Sequence, residues 1–189
     1  VPFAYYDRLS RAHKAIYRRS DRLSSVPLTR PRGMWPLVDE LREGLERDDR
    51  PGVELAAEEL ARAICQDLGV MEPAVEVLAV RPHTVTQELH GLFVWEEGEP
   101  PYIQVWMRTA RKKRVVAFRT FLRTLLHEMC HHLDFTLFGL DESFHTRGFF
   151  QRESSLVRQL APAGATGGAR NKGEGAARPP RGAASRSPL

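Results

Sequence analysis

The apolar positions run in a helical rhythm, switch to alternation between residues 74 and 107, and then return to helical spacing. Over residues 4–20, Tyr5, Leu9, Ala12 and Ile16 recur at 3- and 4-residue steps among Arg8, Arg11, Lys14 and Arg18. This predicts a basic amphipathic helix. Ser24 to Arg32 is a proline-containing connection. Pro36 to Asp48 reads as a second helix with Leu37, Leu41 and Leu45 on one face. Pro51 then starts a third, because its fixed φ suits a first helical turn. That helix is expected to run to Leu68, with Leu55, Leu60, Ile64 and Leu68 inward, and to stop at Gly69.

The period then becomes two. Ala74 to Val80 alternates and is rich in valine, and Leu89 to Trp95 and Tyr102 to Met107 read as two further strands. A polar turn, residues 96–101, joins the last two into a hairpin. After the strands come Arg111, Lys112, Lys113 and Arg114, unbroken. Four cations at the start of a helix oppose its dipole, so they are expected in a solvated loop before it.

Phe118, Leu122, Leu125, Met129 and Leu133 form one apolar stripe of the next helix. Roughly opposite the stripe lie His127 and His131, separated as in H-E-x-x-H, with Glu128 between them. On a helix the two imidazoles stand one turn apart, about 40° from each other around the axis, and can hold one Zn²⁺ from the same side. Glu128 lies on the neighbouring flank, placed to take a proton from a metal-activated water. Asp134, a turn beyond His131, is a candidate to orient a ligand imidazole. His132 points about 100° away from His131 and is not counted as a ligand. A last helix, about Phe149 to Leu160, turns Phe149, Leu156, Val157 and Leu160 inward.

Composition narrows the classes. The chain of 189 residues has room for one domain with extensions. Its formal net charge is +4, but the charges of residues 1–160 cancel and the excess lies in residues 161–189. The basic pI is therefore no sign that the folded part binds nucleic acid. Cys65 and Cys130, the two cysteines, sit in apolar helical patterns and read as buried thiols in a reducing compartment. No run is long and apolar enough to span a membrane, and Val1 to Tyr6 lack a signal-peptide pattern. The expectation is a cytoplasmic protein. Residues 161–189 carry almost no large apolar side chains and are expected to be disordered.

A catalytic zinc takes three protein ligands and keeps one position open. Asp141, Glu142 and His145 are the downstream candidates for the third. The metzincin pattern requires Gly at 134 and His or Asp at 137, where the chain has Asp134 and Leu137. Glu142 would give a gluzincin-like site and His145 an all-histidine one.

The stretch Leu125 to His131 resembles the Leu-Leu-His-Glu-Met-x-His helix of the SprT-like (Spartan-like) zinc metallopeptidases. That family has a second element, His-Gly-Pro-Glu-Phe, about fifteen residues on. Here His145 and Phe149 match its His and Phe at the same offset, while Thr146, Arg147 and Gly148 depart from its middle. The resemblance covers residues 70–160. It implies an α+β fold of the minimal zincin-like type, a small sheet preceding the H-E-x-x-H helix, with zinc held by His127, His131 and His145 and with Glu128 catalytic.

These readings divide the chain into a basic N-terminal helix and linker (1–35), a SprT-like domain (36–160) and a basic tail (161–189). The expected activity is zinc-dependent hydrolysis of peptide bonds in a protein or peptide substrate. The competing expectation is a nucleic-acid- or partner-binding module with a structural zinc. Weak DNA contact would come from the basic patches and the tail.

Overall fold

The computed structural model describes residues 3–82, 90–96 and 98–162. Leu89, expected in the second strand, Glu97 of the turn, and the tail from residue 163 onward lie outside the described residues. Among the described residues the fold is α+β. Five α-helices accompany a three-stranded sheet: α1 (Arg11–Arg22), α2 (Trp35–Glu46), α3 (Arg50–Leu68), β1 (Ala74–Val80), β2 (Gly91–Val94), β3 (Tyr102–Arg108), α4 (Phe118–Thr136) and α5 (Arg147–Leu160).

The expected N-terminal helix is split. Tyr6–Arg8 forms a single 3-10 turn, Leu9 and Ser10 are extended, and α1 begins after Ser10, whose Oγ accepts from His13 N. A serine oxygen satisfying an otherwise free N–H fixes the start of a helix. Tyr17 and Ser20 are the buried residues of α1, whereas Ala12 is exposed.

Helix α3 is capped at both ends as its sequence dictates. The Asp49 side chain accepts from Gly52 N, Pro51 occupies the first turn, and Gly69 closes the helix at φ +67°. Its inward face is Val53, Ala56, Ala57, Leu60, Ala61 and Ile64. Leu55 is 60% exposed, contrary to expectation. Five positions separate it from Leu60, which puts the two about 140° apart on a helix, so they cannot share a face.

The three strands form one sheet in the order β1-β3-β2. β1 pairs parallel with β3, Ala74 opposite Tyr102, and β2 pairs antiparallel with β3, Gly91 opposite Val105. β3 is therefore the central strand, and β1 and β2 are the two edges among the described strands. The sheet carries Val75, Val77, Ile103, Val105 and Met107 into the core, where α3 packs on β1 and α4 packs on β2 and β3. The cationic run 111–114 is a turn, closed by Thr109 N to Arg114 O at 2.9 Å, and all four side chains are exposed. No described helix is long and apolar enough to cross a membrane.

The α4 stripe is seated as its spacing requires. Leu122, Leu125, Met129 and Leu133 are buried, and Phe118 is partly so. Removing a buried Leu or Met side chain to Ala typically costs about 2–5 kcal/mol, so this packing fixes the rotation of α4. It thereby turns His127, Glu128 and His131 toward a cleft of about 730 Å³ beside β2.

Candidate metal centre

His127 and His131 reach the cleft from successive turns of α4. His145 reaches it from the segment between α4 and α5. Its Nε2 lies 2.9 Å from His127 Nε2 and 3.1 Å from His131 Nε2. The structure thus gathers His127, His131 and His145 at one point. Glu142 and Asp141 are exposed and take no part in that group.

The other ring nitrogens define the tautomers. His127 Nδ1 lies 2.9 Å from Glu153 Oε2, an acceptor, so the proton sits on Nδ1 and the Nε2 lone pair faces the cleft. For His131 the tautomer is set by Ser143. The Ser143 hydroxyl donates to Asp134 Oδ2 at 2.7 Å, which spends its one proton. Ser143 Oγ must then accept from His131 Nδ1, at 2.7 Å, and the His131 Nε2 lone pair also faces the cleft. A proton on His145 Nε2 could serve only one of these two lone pairs; a cation serves all three nitrogens. Tetrahedral zinc at 2.0–2.1 Å places its nitrogens about 3.3 Å apart, close to the spacings found here. The donor set and its geometry fit a zinc ion.

Protonation favours the same state. Burial, with the His127, His145 and Arg152 charges adding, pushes His131 down to about 3. Burial and then the His127 charge lower His145, against the pull of Glu153. Neutral imidazole is the metal-binding form.

Asp134 supports His131 at one remove. It is fully buried, and its Oδ1 accepts from Arg152 Nη2 at 2.6 Å. A chain of hydrogen bonds thus runs from Arg152 through Asp134 and Ser143 to His131. Burial raises the Asp134 carboxyl, while Arg152 and Ser143 act to keep it ionised. His132 faces elsewhere, its Nε2 2.7 Å from Met71 O, in keeping with its exclusion as a ligand.

Glu128 lies on the flank of the histidines, 6% exposed, and burial lifts its carboxyl to about 7 against the opposing His127 charge. Its space is made by Gly91 on β2. A Cβ at position 91 would stand 2.3 Å from Glu128 Oε1 and 2.7 Å from its Cγ. The glycine is thus a requirement of close approach. Beyond Gly91, Phe93 stacks on His131 and on Phe135, and Trp95 stacks on Phe135, forming an aromatic wall beside the site.

No family model, curated protein or solved structure matches this chain. The residues and their geometry therefore carry the functional argument.

Sequence reasoning missed Glu153, Arg152, Ser143 and Gly91. The first two had a signal. Positions 152 and 153 fall three and four residues after Phe149, on the inward face of α5, where a charge needs a buried partner. Ser143 and Gly91 had none, since their roles arise from contacts across the fold.

Proposed function

We propose that the protein is a zinc metallopeptidase of the SprT-like, minimal zincin type. The observation that carries the reading is the convergence of three imidazole Nε2 atoms beside a buried carboxyl, Glu128, at one wall of a cleft. His127, His131 and His145 would hold the ion. When bound there, zinc supplies a Lewis acid that polarises a carbonyl and lowers the pKa of water.

The chain's own groups do the rest. Glu153 and Ser143 hold two imidazoles in their ligand tautomers. Glu128 accepts a proton from the attacking water and returns it to the leaving amine nitrogen. Burial raises that carboxyl above its ordinary value, the direction that suits a general base. The edge of β2 borders the cleft through Gly91, Leu92 and Phe93. An extended peptide laid along it would find main-chain hydrogen-bonding partners and bring a peptide bond to the histidines. β3 is the central strand and offers no free edge for this part.

The test is a protease assay on the purified full chain, with and without DNA, beside Glu128→Gln. The expected result is about one zinc per chain and hydrolysis that a chelator abolishes. Glu128→Gln should keep the zinc and lose at least about a hundredfold in rate. Stoichiometric zinc without hydrolysis of any unfolded protein substrate would replace this reading with a structural zinc module.

A further inference from the structure

The segment that delivers His145 is short, irregular and only partly buried. Helix periodicity does not fix it, and its contacts with α4 and α5 account for only part of its anchoring. Further anchors come from residues 3–23. Tyr5 Oη donates to His145 O at 3.0 Å, on the ligand residue itself. Arg19 donates to Gly139 O at 3.0 Å and to Phe138 O at 2.6 Å, at the start of the segment. Ser20 Oγ and Thr146 Oγ1 are 3.2 Å apart at its end, in a fully buried contact. Phe144, the neighbour of His145, is packed among the rings of Tyr5, His13 and Tyr17.

The same N-terminal stretch reaches the support of His131. Arg152 donates to Ser20 O at 2.8 Å and to Leu23 O at 2.6 Å, as well as to Asp134. This proximity requires Gly148, where a Cβ would lie 2.4 Å from Ser20 O.

We propose that residues 3–23 form a strap that positions the third zinc ligand, so that zinc affinity depends on an N-terminal segment distant in sequence from every ligand. The inference rests on the metal reading above. Its chemical content is that Tyr5 and Arg19 are positioning residues acting through His145. Loss of their bonds leaves the two α4 histidines in place and frees the third. Detachment of the strap, by a partner or by proteolysis, would release the metal without unfolding α4.

The test is zinc affinity of the full-length chain, measured by competition with chelators of graded strength. The Tyr5→Phe/Arg19→Ala variant should keep its circular dichroism and bind zinc about tenfold more weakly, the range found when partners of ligands are removed. Both side chains reach the surface, so the core stays intact. Tyr5→Phe removes one oxygen, and should alone produce a measurable part of the loss even if the double variant does not fold. In a His145→Ala background the same changes should have no further effect on affinity. Equal losses in both backgrounds, or unchanged affinity, would overturn the strap while leaving the metallopeptidase reading intact. A parent chain that binds no zinc would overturn both.

Discussion

Glu153 Oε2 stands 2.9 Å from His127 Nδ1, joining α5 to the first histidine of the cluster on α4. Glu153 is 3% exposed, and Arg123 Nη1 meets its other oxygen at 2.9 Å. A carboxylate in this position fixes the imidazole tautomer and raises the basicity of the free nitrogen. Replacement Glu153→Gln keeps the shape but removes the charge. Zinc affinity should fall by about 10–100-fold with the fold retained, as read by chelator competition and circular dichroism. Unchanged affinity would reduce Glu153 to a packing residue.

The third donor can be separated from its rival by two substitutions. His145→Ala removes a nitrogen that lies within 3.1 Å of both other donors, whereas Glu142 is exposed and outside the group. The first should cost most of the zinc affinity and the second almost none. The reverse ranking, measured on the same preparation scale, would move the site to the gluzincin type.

Gly91 offers a test of Glu128 that leaves Glu128 untouched. Gly91→Ala drives a methyl against Oε1, Cδ and Cγ of Glu128, and the side chain must shift away. Zinc content should persist and hydrolysis should fall by an order of magnitude or more, since a displaced base is out of reach of its proton. A Gly91→Ala variant that hydrolyses peptides as fast as the parent would show that the carboxyl has room to work elsewhere.

Arg152 and Asp134 are both fully buried and paired at 2.6 Å. Arg152→Ala strands a carboxylate in the core, and breaking a buried pair from one side costs about 3–5 kcal/mol. Chemical denaturation should show that loss. Leu55→Ala, at an exposed position, should stay within about 0.5 kcal/mol of the parent. Similar costs for the two would contradict the packing described here.

The two thiols should be silent in the folded chain. Burial, with Glu72 adding, pushes Cys65 up to about 12, and burial raises Cys130 as well. The thiolate is the reactive form, so a thiol reagent should modify neither at neutral pH and both after denaturation. Rapid native labelling of either would place it at the surface.

What the sequence determined is what local periodicity and spacing can carry. The change of period at Ala74 gave the strands, and the stripe from Phe118 to Leu133 gave α4 and its rotation. Because a helix repeats every 3.6 residues, that rotation alone put His127 and His131 together, with Glu128 on their flank. The hairpin of β2 and β3 followed from two strand patterns around a polar turn. Leu55 was misplaced because it was grouped with Leu60 at a five-residue step, which no helical face permits. The N-terminal helix was drawn too long because the capping Ser10 was passed over.

Only the tertiary structure decided the rest. Position 145 has no periodic relation to 127 and 131, and the motif by itself left Asp141, Glu142 and His145 open. The choice among them depends on how an irregular segment is held, and its anchors are Tyr5, Arg19 and Ser20, more than a hundred residues earlier. Glu153, Ser143 and Gly91 likewise gain their roles from packing between elements. Local pattern specifies which face of an element turns inward, but the partner it meets there is set by the packing of the whole chain, which brings distant segments into hydrogen-bonding range.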